Sequence, residues 1–396
     1  MTSQTSLSAA ARSRRLPVTV VTGFLGAGKT TLLRQLLLES GQRLAVLVNE
    51  FGDVGIDGDL IAACGFCPED EREERLVELT NGCLCCTVQD DFLPTMERLL
   101  ERADSLDGIV VETSGLALPE PLVAAFGWPA IRSRVRVQAV VTVVDGEALS
   151  AGHVVGDAEA VEAQRRADPS LDHISALEDL FEDQLQAADL VLVSRADRLS
   201  SESLDAVIAR LRPAARPGTG VLPMARGQID PALVLDAPAT GQSGGQRFSA
   251  TTAPEKHAHD VHQDHESAHG HDPAHGHGHD DHEHHDHSHA DIASLVLRRQ
   301  GHWQRQAVEV WLAQLIREQP VLRLKGRLRQ QDKALPLQIQ AVGPRLECWY
   351  EQEAAGTTSE PGLELVLLVP ASQEQAVRQC LAELPEPQGE AIGGRR

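Results

Sequence analysis

Gly23-Phe24-Leu25-Gly26-Ala27-Gly28-Lys29-Thr30 decides the fold, because it matches G-x-x-x-x-G-K-[ST], the phosphate-binding loop. The residues before it, Pro17 to Thr22 (PVTVVT), are a short β-branched run that reads as a buried strand. Those after it, Thr31 to Glu39 (TLLRQLLLE), combine helix formers with a leucine face. Strand, glycine turn and helix bring backbone N–H groups to a helix N-terminus, where an anion is favoured. Gly26 and Gly28 let the chain pass close to phosphate oxygens, within a loop running from Gly23 through Ala27. Lys29 is expected to reach the outer phosphates, and the hydroxyl of Thr30, followed by Thr31, to hold Mg²⁺.

Working outward, Arg43 to Asn49 (RLAVLVN) reads as a second strand, and Glu50 to Asp57 (EFGDVGID) as a glycine- and acid-rich loop in the position of a phosphate-sensing switch. Asp107 to Glu112 (DGIVVE) is a further hydrophobic strand that ends in Glu112-Thr113-Ser114-Gly115. An acid at a strand end followed by x-x-Gly fits the second phosphate-site element: Glu112 acting on Mg²⁺ through water, and the Gly115 N–H facing the last phosphate. Val135 to Asp145 and Leu190 to Val193 are expected strands, and Ile174 to Ala188 and Ser203 to Leu211 expected helices. After Val193 comes Ser194-Arg195-Ala196-Asp197, where GTPases place N-K-x-D. Asp197 is retained as a reader of guanine, and Arg195 can cover the base with its planar group. A short strand, Val221 to Pro223, is expected to close this part of the chain.

Between the second strand and Glu112 lie Cys64-Gly-Phe-Cys67 and Asn81-Gly82-Cys83-Leu84-Cys85-Cys86. The latter sits between a strand-like run, Arg75 to Thr80, and a helical stretch, Gln89 to Ala103. Extended geometry places Cys83 and Cys85 on one side, so both sulfurs can meet one ion, and soft thiolates suit Zn²⁺, Co²⁺ or Cu⁺. Three readings stand side by side. One is a metal site of Cys83, Cys85 and Cys86. Another is a closed zinc site that also recruits Cys64 and Cys67, although the spacing misses the final C-x₂-C. The last is redox or inert thiols.

The formal net charge of −22 argues against nucleic acid or an anionic membrane surface as partner. No apolar run reaches transmembrane length, so no membrane insertion is expected and the reading is cytoplasmic. Residues 1–16 read as a disordered tail. Fourteen of the seventeen histidines fall between His257 and His289, and ten acids with one lysine fall between Thr251 and Asp291. Such a segment buries nothing, so 237–290 is expected to be a disordered, metal-buffering linker. Residues 291–385 read as a small α+β domain that docks or regulates, with Cys348 and Cys380 packed rather than ligating, and 386–396 as a tail. The expected architecture is therefore α/β: a P-loop NTPase domain over 17–236, with a mainly parallel, doubly wound sheet, and then the α+β domain.

GFLGAGKTT, NEFGDVGIDGD, ELTNGCLCCTV, ETSGLALPEPLV and a late His-rich tract, in this order, resemble the CobW family of P-loop metallochaperones. DDFLPTMERLLER and ETSGLALPEPLVAAFGWPAIRS are similar to the branch tied to cobalamin biosynthesis. The resemblance implies a GTP-dependent chaperone that carries Co²⁺ to a metal-acceptor protein, cobaltochelatase. A zinc chaperone or a His-rich storage protein is the alternative. It implies that Gly26, Gly28, Lys29, Thr30 and Thr31 hold phosphates and Mg²⁺. It also implies that Glu112 serves hydrolysis and that Cys83, Cys85 and Cys86 form the C-x-C-C metal motif. Two departures stand out: Ser194-Arg195 replace Asn and Lys, and Val48 stands where some relatives carry an acid.

Overall fold

The computed structural model describes residues 15–48, 76–78, 92–167, 177–236, 291–351 and 360–387. The loop 50–57, the cysteines at 64, 67, 83, 85 and 86, the His-rich tract and residues 1–14 and 388–396 lie outside these residues; Leu16, read from the sequence as the end of a tail, is instead buried as the first residue of a strand.

Seven strands form one sheet: β1 (Leu16–Thr22), β2 (Leu44–Val48), β3 (Leu76–Glu78), β4 (Gly108–Glu112), β5 (Val135–Asp145), β6 (Leu190–Ser194) and β7 (Gly220–Pro223). Their order is β3-β2-β4-β1-β5-β6-β7, and every pairing is parallel. The strands are runs of Val, Leu and Ile because helices cover both faces of such a sheet. All eleven residues of β5 are buried. β1 lies at the centre, with β4 on one side and β5 on the other. The chain leaves β1 toward one edge and later returns to build the other, so the loop after β1 opens at the switch point of the sheet, where α/β folds bind ligands.

Among the described helices, α1 (Lys29–Glu39), α2 (Leu93–Glu101), α6 (Leu177–Ala187) and α7 (Ser201–Leu211) follow the expected periodicity. α1 buries Leu32, Leu33 and Leu36 against the sheet. Four helices are additions to the sequence reading: α3 (Pro119–Ala125), α4 (Gly146–Ser150), α5 (Ala158–Ala167) and α8 (Pro231–Val234). Proline concealed α3 and α8. Its missing N–H is harmless in a first turn, which is where both helices carry it. α4 opens on Gly146 and is fixed by the carboxylate of Asp145, which accepts from the N–H groups of Glu147 and Ala148.

The second sheet has the order β11-β10-β9-β12-β8 and is antiparallel throughout. Its strands are β8 (Ile292–Gln300), β9 (Arg323–Arg329), β10 (Leu337–Val342), β11 (Arg345–Tyr350) and β12 (Gly362–Pro370). Two helices, α9 (Arg305–Glu318) and α10 (Glu374–Ala382), supply buried Val308, Leu312, Leu315, Val377 and Leu381 to its core. β8 extends three residues beyond its apolar run, through Arg298, Arg299 and Gln300, because β12 continues to pair with it as far as Gly362. Cys348 and Cys380 pack against this core, as expected of them.

The sheets share apolar surface: Val342 and Leu368 of the second, with Leu322 just before β9, join the cluster of Val21, Leu190 and Leu222 of the first. Beside it, fully buried Asp189 pairs with Arg216 and with Arg345 of β11. Asp236, just after α8, pairs with Arg136 of β5 and with Arg323 and Lys325 of β9.

Candidate functional site

The loop after β1 turns on three glycines with positive φ: Gly23 at 131°, Gly26 at 73° and Gly28 at 104°. Gly23 lies against the backbone of Val143, where a Cβ does not fit, so its role is close packing on β5. The N-cap of α1 is Gly28, which has no side chain to cap the helix, and the first turn of α1 is a place where an anion is favoured. It opens on a cleft of about 540 Å³ whose wall includes Gly26, Ala27, Gly28, Lys29, Thr30 and Thr31.

Glu112, the last residue of β4, closes one side of this cleft. Its carboxylate accepts from the Thr30 hydroxyl at 3.3 Å and stands 3.9 Å from the Lys29 ammonium. Lys29 is itself buried, and its Nζ donates to the Phe24 carbonyl at 3.2 Å. The Thr30 hydroxyl and the Glu112 carboxylate are hard oxygen donors side by side, which is the chemistry that Mg²⁺ takes. Gly115 stands behind the loop rather than on the cleft wall: a Cβ there would come within 2.6 Å of the Leu25 nitrogen. The β4 end thus supports the phosphate loop by contact. A hydrogen bond between the hydroxyls of Thr113 and Thr22, at 2.9 Å, adds to this support.

At the other end of the cleft stand Ser194, Arg195 and Asp197, brought in by β6. Arg195 has a left-handed backbone, φ 54°, and its guanidinium donates to the Gly26 carbonyl at 3.0 Å. It also pairs with the buried carboxylate of Asp145. Asp197 faces Arg226 across 3.5 Å. Arg226 belongs to a stretch that the sequence reading missed. Met224, Arg226 and Gly227, just after β7, complete the cleft wall. A glycine after a strand's carboxyl end, on the ligand side of a parallel sheet, was the available signal. Gly227 has φ 77° and lies against Thr31, where a Cβ would meet the Thr31 carbonyl oxygen at 2.8 Å.

The structure thus brings Lys29, Thr30, Thr31, Glu112, Arg195 and Asp197 to one cleft. The proposed thiolate ligands Cys83, Cys85 and Cys86 lie outside the described residues. Among the described residues no group of three His, Cys, Asp or Glu side chains is placed to hold a metal ion, and no helix is long and apolar enough to cross a membrane.

Fold and cleft together define a P-loop nucleotide hydrolase. The chain belongs to the CobW/HypB/UreG family, whose nucleotide-binding domain matches residues 17–221, and the cobalamin synthesis protein cobW C-terminal domain matches residues 292–384. It is 40% identical over 379 residues to a protein of Sinorhizobium sp. named zinc chaperone CobW, covering 95% of this chain and 99% of that one. It is 52% identical over 223 residues to a zinc chaperone CobW of Pseudomonas aeruginosa, covering 56% of this chain and 60% of that one. Among solved structures, Zn(II)-bound YjiA GTPase from Escherichia coli is similar at 21% identity with a TM-score of 0.37, covering 94% of this chain and 100% of that one.

Proposed function

We propose that the chain is a GTP-dependent metal chaperone. In this reading residues 17–236 bind and hydrolyse GTP and carry the metal at Cys83, Cys85 and Cys86, while residues 291–385 serve docking to the metal-acceptor protein. The observation that carries the nucleotide half is the convergence of Lys29, Thr30 and Glu112 at the N-terminus of α1. The metal half rests on the C-x-C-C motif and on the relatives named zinc chaperones.

The α1 N–H groups and Lys29 bind and orient the phosphates. Lys29 lies on the Phe24 carbonyl and moves a short distance to reach them. Thr30 and Glu112 are the residues that would hold Mg²⁺, which neutralises charge developing on the phosphate oxygens. Asp197 reads the guanine edge, and Arg195 braces the base side of the cleft against the phosphate loop. The metal is cargo. In this reading thiolates hold it tightly while nucleotide is bound, and hydrolysis releases it.

Zinc is favoured by the names of the two relatives. Cobalt, delivered to cobaltochelatase from a cytoplasmic pool, is supported by the cobalamin-type phrases at 90–102 and 112–133. Both ions accept the same ligands. The test is titration of the full chain with Co²⁺ in the presence of Mg²⁺, with and without a non-hydrolysable GTP analogue. Thiolate-to-cobalt absorption reports sulfur ligands, and the histidine tract is silent in it. One site that forms with nucleotide alone, and is lost in Cys83→Ser, is expected. A band indifferent to nucleotide overturns gating. Zn²⁺ and Co²⁺ are then compared as stimulants of GTP hydrolysis, which selects the cargo.

A further inference from the structure

Asp145 is the last residue of β5 and is 5% exposed. A carboxylate at that depth needs partners for both oxygens. Oδ1 accepts from the N–H groups of Glu147, at 3.0 Å, and Ala148, at 3.3 Å, at the start of α4. Oδ2 pairs with the Arg195 guanidinium. The other arm of that guanidinium donates to the Gly26 carbonyl at 3.0 Å, within the phosphate loop. A continuous line therefore runs from β5 through Asp145 and Arg195 to the loop.

The Arg195 side chain is only partly enclosed, 34% exposed. It stands between the main cleft and a neighbouring hollow of about 440 Å³, and it lines both. Its backbone is left-handed, a strained state for a residue with a side chain. Glu147 approaches Nε at 3.6 Å but is itself shared with Arg198 at 3.1 Å and is partly exposed. The buried pair with Asp145 is the fixed point. Gly156 closes over it, since a Cβ there would come within 2.7 Å of Oδ2.

We propose that Asp145 is a positioning residue for nucleotide: it holds Arg195 on the Gly26 carbonyl and thereby sets the phosphate loop and the base side of the cleft before nucleotide arrives. This rests on the GTP-hydrolase reading of the same cleft. It gives Arg195 of S-R-x-D a role at this position: separate nitrogens of its rigid planar fork meet two acceptors, one on β5 and one on the loop.

The test is Asp145→Asn in the full chain, which keeps the shape and a competent cap for α4 while removing the charge. KM for GTP and the Kd of fluorescent GDP are expected to rise about tenfold or more, with kcat within threefold of wild type. Arg195→Ala gives the reference loss. The double variant is expected to match Arg195→Ala alone, because Asp145 acts through Arg195. Additive losses, or no change in Asp145→Asn, overturn the proposal. If Asp145→Asn fails to fold, Gly156→Ala, which displaces the same carboxylate, takes its place: its rise in KM must disappear in the Arg195→Ala background, and persistence overturns the proposal. Wild-type protein that neither binds nor hydrolyses GTP would sink the functional reading instead, so the two failures are distinct.

Discussion

Thr30, Lys29 and Glu112 form a small polar cluster that exists only because β4 ends beside the start of α1. Glu112→Gln keeps the shape and removes the charge. GTP turnover is expected to fall about 10–100-fold, the usual range for loss of an outer partner of a metal site, with fluorescent GDP binding much less affected; phosphate release measures the first and titration the second. Cys348 makes the opposite point. Burial, with Glu309 beside it, pushes its thiol up to about 12. Its thiolate at pH 8 is then on the order of a thousandfold scarcer than that of an exposed cysteine, because only the ionised sulfur reacts. Site-resolved alkylation by iodoacetamide is expected to leave Cys348 unmodified in the folded chain. Modification at the rate of an exposed thiol would contradict the packed reading. For the proposed thiolate site, apparent metal affinity should drop as pH falls from 8 to 6, since protons compete for sulfur; an affinity flat over that range would argue against thiolate ligands.

At the scale of elements, the phosphate loop is built by its neighbours as much as by its own glycines. Gly115, after β4, has no room for a methyl group beside Leu25. Gly115→Ala is expected to destabilise by about 1–3 kcal/mol, the usual penalty of overpacking a tight contact, and also to weaken nucleotide binding, because the strain is relieved by moving the loop. Thermal unfolding with and without GDP checks this: a variant that loses stability but keeps its full stabilisation by GDP would disconnect Gly115 from the loop. α8 shows how far a short element can be held by polar partners. The Val234 carbonyl accepts from the Thr19 hydroxyl at 2.8 Å and from Gln138 at 3.1 Å, both buried in the sheet. That anchoring brings Asp236 to its cations.

For the whole molecule, the joint between the sheets depends on Asp236. Burial pushes its carboxyl up, but Lys325, Arg136 and Arg323 together hold it well below the usual carboxylate range. Arg136 also lies over the Trp349 ring at 4.5 Å. Asp236→Asn removes the carboxylate that Arg323 and Lys325 share and leaves Arg136 with Glu347, and a loss of about 3–5 kcal/mol is expected from breaking one side of such a cluster. The sign with pH follows from the depressed value. The stabilisation is fully present above about pH 4, the unfolded carboxylate range, and is lost as pH falls toward the folded value. Urea unfolding of wild type and variant should therefore differ most at neutral pH and converge in acid; a difference that grows on acidification would refute the assignment.

Features that depend on local pattern can be read from the residues in order. Glycine spacing, β-branched runs and leucine periodicity are properties of neighbouring residues, so the loop at 23–30, the strands of the parallel sheet and the small α+β region were legible before any coordinates. So were Lys29, Thr30, Glu112, Arg195 and Asp197, each placed by its distance from a strand end. Tertiary structure decided what depends on residues far apart in the chain. Strand order put β4 and β5 on either side of β1, and only that order turns Gly115 and Gly23 into packing positions behind the loop. It also brought Arg226 to Asp197, Asp145 to Arg195 and Asp236 to Arg323. No local pattern encodes such pairs, because a carboxylate 50 or 87 residues away leaves no periodic trace in the sequence; for the buried carboxylate of Asp145 and the largely buried one of Asp236 the pairing is then obligatory, since an ion without a partner is costly in the interior.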